Sequence, residues 1–124
     1  MKNILKTFAV LCVLGLLWSC QNKEAEYSGL THCVFLKLKD PQSTAEVKQQ
    51  LLRLDSIEEV ETIVVVGKTD VGDTRALDYD LLMIATFTDE AALKRYDQNK
   101  FHQQIRQRPK PYLAGPPATF DFRE

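Results

Sequence analysis

Val60-Glu61-Thr62-Ile63-Val64-Val65-Val66-Gly67 and Tyr79-Asp80-Leu81-Leu82-Met83-Ile84-Ala85-Thr86-Phe87 decide the architecture. Both runs are rich in β-branched and apolar residues and read as strands. The connection between them, residues 68–78, has the Asp, Gly and Thr content of a loop and no helical period, so the two strands follow one another directly. Gly67 ends the first run. In the second, the near-continuous stretch Leu81-Leu82-Met83-Ile84-Ala85 predicts burial on both faces, which requires something to cover each side of the sheet.

On the N-terminal side of this pair, Ser43-Thr44-Ala45-Glu46 offers a cap serine with a glutamate three residues on. Val47, Leu51 and Leu54 then recur at helical spacing, opposite Lys48, Gln49, Gln50 and Arg53, which predicts an amphipathic helix over 43–55. Before it, Thr31-His32-Cys33-Val34-Phe35-Leu36-Lys37-Leu38-Lys39 reads as a strand with His32, Val34, Leu36 and Leu38 on one face, broken by Asp40-Pro41. On the C-terminal side, Thr88 is placed to cap a second helix with Asp89 and Glu90 in its first turn and Ala92, Leu93 and Tyr96 on its apolar side. A short helical piece after Asn99 carries Phe101 and Ile105, and Pro109 and Pro111 stop it. Ala118 to Phe122 alternates as a last strand. The order β-α-β-β-α-β is the α+β, ferredoxin-like arrangement, a four-stranded antiparallel sheet with two helices on one face. Helices on one side leave the other side bare. The economical cover is a second copy of the chain, because identical patches related by a two-fold axis close a symmetric pair.

The first twenty residues form a unit of another kind. Lys2 and Lys6 precede the apolar run from Thr7 to Trp18. As a helix that run rises about 18 Å, short of the ~30 Å hydrocarbon core, so a signal peptide is favoured over a membrane span. Leu17-Trp18-Ser19-Cys20 resembles a bacterial lipobox, which implies cleavage before Cys20 and lipidation of its thiol. The expected division is residues 1–19 signal peptide, 20–30 lipidated cysteine and polar tether, and 31–124 globular domain. Cleavage would remove Cys12 and commit Cys20 to lipid, leaving Cys33 as the one free thiol and no disulfide. The expected location is a bacterial cell envelope, periplasmic or surface side, with the domain hung from a membrane it does not enter.

Composition narrows the function classes. The chain has 124 residues with 16 basic and 17 acidic side chains, which bounds it to one domain and gives no electrostatic footprint for nucleic acid. Gly67, Gly72 and Gly115 are isolated, so no phosphate-binding loop is present. Two separated histidines and scattered carboxylates form no recognisable metal set, and neither metal nor cofactor is expected.

His32-Cys33-Val34-Phe35-Leu36-Lys37-Leu38-Lys39, Gly67, Tyr79-Asp80, Phe87, Tyr96, His102 and Phe120-Asp121-Phe122, taken in order and spacing, resemble the stress-responsive dimeric α/β-barrel family, Dabb. The resemblance runs over about 31–122 and implies a homodimer whose two sheets form a barrel. Family members commonly carry Tyr-x-x-His-Pro-x-His after the second helix. Here Tyr96 and His102 keep its ends, while Asn99 and Lys100 stand in place of the first His and the Pro. Plant polyketide cyclases of the family also use a third-strand His, where this chain has Leu81, so their chemistry does not carry over.

His32 and His102 are the only histidines in the sequence. A neutral imidazole accepts a proton near pH 7, and a tyrosine hydroxyl can orient a substrate oxygen. His102 with Tyr96 is therefore the candidate catalytic pair, and His32, Tyr79, Leu81, Met83 and Phe101 are the candidate ligand-contacting residues. The same side chains could instead serve packing and capping alone. The leading expectation is a lipid-anchored homodimer that binds a small apolar or aromatic molecule in a stress-related role. The alternatives are a cofactor-free cyclase, isomerase or monooxygenase-like enzyme with His102 as base, and a scaffold without ligand.

Overall fold

The structure, a computed structural model, describes residues 29–123. The expected signal peptide, Cys20 and nearly all of the tether lie outside them. Four strands form one antiparallel sheet: β1 (Leu30–Leu36), β2 (Thr62–Gly67), β3 (Leu81–Phe87) and β4 (Ala118–Arg123), in the spatial order β2-β3-β1-β4. Three helices, α1 (Thr44–Leu52), α2 (Glu90–Gln98) and α3 (Lys100–Gln107), complete the ferredoxin-like fold. β1 begins one residue earlier than its sequence pattern suggests, and β2 and β3 each start two residues later.

Register sorts every strand residue to a side. Leu36 faces Leu81, Val34 faces Met83, His32 faces Ala85 and Leu30 faces Phe87, and these pairs form the helix-covered side. Leu81, Met83, Ala85 and Phe87 are buried there with Val65, Val47, Leu51, Leu54, Tyr96 and Ile105. Leu82, Ile84 and Thr86 point the other way and are only half-buried. The expected burial of β3 on both faces is therefore met on one face within a single chain, because all three helices pack on the same side. The other face carries four apolar side chains exposed by 36% or more: Val64 (50%), Val66 (42%), Phe120 (61%) and Phe122 (36%). They come from both edge strands and flank Cys33, Phe35 and Ile84 in the middle.

Two expected caps are corrected. A 3-10 turn over Pro41–Ser43 starts the first helical segment early, so Asp40, in extended conformation, accepts from the Gln42 amide at 2.9 Å. Proline at the first helical position has no amide to satisfy, which suits it to that place. Ser43 makes no side-chain cap bond, its hydroxyl donating to the Asp40 carbonyl at 2.5 Å, and Glu46 accepts from Gln50 instead. The N-cap of α2 is Asp89 rather than Thr88: Asp89 is extended and its carboxylate accepts from the Ala92 amide at 2.8 Å. An ionised acceptor at the positive helix end outweighs a neutral hydroxyl one residue earlier.

Asn99 performs two tasks. It ends α2 in extended conformation and caps α3, its side-chain oxygen accepting from the amides of Phe101 and His102 at 2.8 and 3.2 Å. The break turns the chain so that α3 lays Ile105 and His102 on the core while its opposite side stays wet.

Candidate functional site

Between the helix-covered side of the sheet and the helices lies a cavity of about 390 Å³. This is within the size range of small-molecule sites. Its walls are mostly apolar, with Val34, Leu36 and Met83 from the sheet, Leu51 and Leu54 from the first helical segment, and Leu93 from α2. The polar groups arrive on separate elements: His32 on β1, Asp121 on β4, Tyr96 and Asp97 on α2, His102 and Arg106 on α3, and Lys110 beyond it.

His32 and Asp121 face one another across the β1–β4 pair, and Nδ1 of His32 donates to Asp121 Oδ1 at 2.5 Å. A carboxylate can only accept, so the hydrogen of this bond sits on Nδ1. A row of rings then runs from the sheet to α3. His32 meets Phe87 edge-on at 6.4 Å, Phe87 meets Tyr96 at 4.9 Å, and Tyr96 stacks on His102 at 3.9 Å with 27° between planes.

Tyr96 is fully buried and His102 is 6% exposed. The Tyr96 hydroxyl and His102 Nδ1 are both sealed from solvent, and neither has a hydrogen-bond partner among the described residues. Burial pushes the Tyr96 hydroxyl well above its ordinary value, with Asp97 adding to the rise, so it acts as a donor throughout the physiological range. Burial pushes the His102 imidazole below its ordinary value; the Asp97 carboxylate, 3.9 Å from Nδ1, pulls the other way and Arg106 reinforces the lowering. The carbonyls of Asp97 and Tyr96 also favour the protonated ring, but neither closes a hydrogen bond by geometry. His102 is thus held neutral, able to accept a proton.

The lowering has a consequence for stability. As pH falls through the ordinary histidine range near about 6.5, the unfolded chain takes up a proton that the folded chain resists. The contribution of His102 is therefore complete above that range and is lost below it. His102→Gln is expected to narrow the gap between melting temperatures at about pH 7.5 and about pH 5.5. An unchanged gap would assign the acid sensitivity to other groups.

The structure brings His32, Met83, Tyr96 and His102 to one cavity. Tyr79 and Leu81 lie elsewhere, lining a second, shallower depression of about 190 Å³ beside Phe35 and Lys68, where Tyr79 packs on Phe35 at 5.4 Å. Phe101 packs against the edge of the core under Arg53, whose guanidinium carbon is 5.6 Å from its ring centre. Sequence reasoning passed over Asp121, although the alternation Phe120-Asp121-Phe122 puts an acid on the inward register of a strand. Arg106 and Lys110 also line the cavity. The Arg106 signal is its spacing, four residues after His102 and hence on the same side of α3. Cys33 sits on the bare side of the sheet, and burial, with Asp121 nearby, raises its thiol above the ordinary value. Among the described residues no group of three or more His, Cys, Asp or Glu is placed to hold a metal ion.

Sheet, helices and cavity define a ferredoxin-like α+β domain with a pocket between its layers. The family model for the stress responsive A/B barrel domain, Dabb, matches residues 30–122, and the chain belongs to that family. No curated protein matches the chain. It is similar to a dimeric protein of unknown function and ferredoxin-like fold from Bacteroides fragilis, at 16% identity and TM-score 0.62 over 78% of this chain and 97% of that one. At3g17210 from Arabidopsis thaliana has 16% identity and TM-score 0.67 over 77% of this chain and 94% of its own. SnoaB, a cofactor-independent oxygenase from Streptomyces nogalater, has 12% identity and TM-score 0.60 over 78% of this chain and 93% of its own. At these identities the likeness is one of fold.

Proposed function

We propose that the protein is a lipid-anchored, homodimeric envelope protein that binds a small apolar or aromatic molecule between its sheet and helices, in a stress-related role. The observation that carries the binding reading is the mostly apolar cavity walled by the stacked rings of Tyr96 and His102, whose hydroxyl and Nδ1 have no hydrogen-bond partner among the described residues. Each unsatisfied group costs about 1–3 kcal/mol. A buried polar group that carries such a cost calls for a specific role, and a ligand reaching it would supply the missing bond. The homodimer is supported by the four exposed apolar side chains on the bare sheet face and by the dimeric state of the Bacteroides fragilis structure. The anchor rests on the lipobox-like Leu17-Trp18-Ser19-Cys20, outside the described residues.

Native mass spectrometry of the full chain, purified from its own host, tests the binding reading. A dimer carrying a reproducible extra mass, depleted about tenfold in Tyr96→Phe by loss of one hydrogen bond to the ligand, is the expected result. A wild-type dimer without added mass would defeat it. For the anchor, wild type should partition into the detergent phase and Cys20→Ala into the aqueous phase, and equal partition of the two would refute lipidation.

A second reading is favoured by the lowered His102 basicity. A buried, neutral imidazole stacked on a protonated tyrosine can take a proton from a bound substrate while the hydroxyl orients an oxygen, the requirement for cofactor-free cyclisation, isomerisation or oxygenation. SnoaB, a cofactor-independent oxygenase on the same fold, is consistent with this reading. It fails if, once turnover of a substrate is measured, His102→Gln keeps full activity.

A further inference from the structure

The charged groups at the cavity are unevenly committed. Asp121 is bound to His32, and Asp97 lies 3.9 Å from His102. Elsewhere in the domain Lys37, Arg75, Arg95 and Arg123 each pair with a carboxylate. Arg106 and Lys110, both exposed and both lining the cavity, make no ion pair among the described residues. Arg106, four residues after His102 on α3, lies close enough to act electrostatically on both Tyr96 and His102. Arg108, two residues further along the chain, does not line the cavity.

We propose that the ligand is a lipophilic monocarboxylate, its apolar body against Val34, Leu54 and Met83 and its carboxylate held at the mouth by Arg106 and Lys110. This rests on the binding reading above and adds the ligand's charge. An apolar pocket with two uncommitted cations at its rim discriminates by charge as well as by shape. A guanidinium matches a carboxylate through paired N–H donors, and an ammonium beside it adds a second charge-assisted bond. Of the two carboxylates at the cavity, Asp121 is hydrogen-bonded to His32 on the sheet and Asp97 lies beside His102.

The test compares acids with neutral analogues of the same body, octanoate with octan-1-ol and 2-naphthoate with 2-naphthylmethanol. Titration calorimetry uses the full chain in phosphatidylcholine nanodiscs, with protein-free discs as blanks. At about pH 7.5 the acid is expected to bind about tenfold more tightly than its alcohol for at least one body. The body that shows the preference distinguishes a fatty from an aromatic acid. The preference should vanish in R106Q/K110Q, persist in R108Q, and shrink as salt is raised from about 0.05 to about 0.5 M. Equal affinity for acid and alcohol, or a preference that survives R106Q/K110Q or is equally lost in R108Q, would overturn the charge assignment while leaving the binding reading intact. If these cations instead contact lipid headgroups, phosphatidylglycerol vesicles will bind in a manner sensitive to R106Q/K110Q with no acid preference, which also overturns it. Failure of all four probes to bind, with no mass retained on the native protein, sinks both readings together.

Discussion

Phe120→Glu is expected to leave the protein monomeric at concentrations where the proposed wild-type dimer forms. Phe120 is the most exposed large apolar residue of the sheet, 61% open on the face that carries Val64, Val66 and Phe122. A two-fold axis uses each such residue twice. Removing both copies from an interface forfeits about 3 kcal/mol at the low end of the scale for burying a phenylalanine, or a factor of ~10² in Kd. A carboxylate at the same place adds the cost of burying an unpaired charge, so the true loss should be larger. Light scattering across a dilution series reads the change directly. Asp121, the neighbour that points to the helix-covered side, provides the contrast: Asp121→Asn should leave the oligomeric state untouched, since its side chain lies on the other side of the sheet. If Phe120→Glu dimerises as tightly as wild type, the bare face is not where the copies meet.

The second large effect belongs to the core. Phe87 is fully buried at the end of β3, packed 4.9 Å from Tyr96 and edge-on to His32. Phe87→Ala is expected to cost about 3–5 kcal/mol, through lost burial and the cavity left behind. A domain of this length has a total stability of only ~5–14 kcal/mol, so the variant should sit close to unfolding. At about 4–8 °C per kcal/mol, the melting temperature should fall by at least about 12 °C at matched protein concentration. The same truncation at Phe122, 36% exposed on the opposite face, should cost less within the protomer. A fall at Phe87 no larger than that at Phe122 would contradict the packing described.

The two substitutions also show which parts of the molecule could be read before it was seen folded. Strand order and type followed from alternation and from the direct succession of β2 and β3. Which residues of β1 share a face followed from their parity alone, because a strand has a period of two. The caps were less legible. Ser43 and Thr88 have the chemistry of caps, but Asp40 and Asp89 hold those positions because the chain enters its helical turns one to three residues away from where the pattern places them. Tyr79, Leu81 and Phe101 show the same limit. Their composition suits a pocket wall, yet two of them line a different depression and the third packs under Arg53. Composition does not say where helices leave space.

What the sequence determined by itself is what local forces determine: the β-α-β-β-α-β order and the amphipathic sides of its helices. It also carried enough family pattern to identify the domain. The meeting of His32 with Asp121, 89 positions apart, was decided by strand register, which brings an outer strand beside β1. The cavity, and the placement of Arg106 and Lys110 on its wall, were decided by the angle at which α3 leaves Asn99. Both depend on contacts between segments distant in sequence, and such contacts leave no period in the chain from which they could be read.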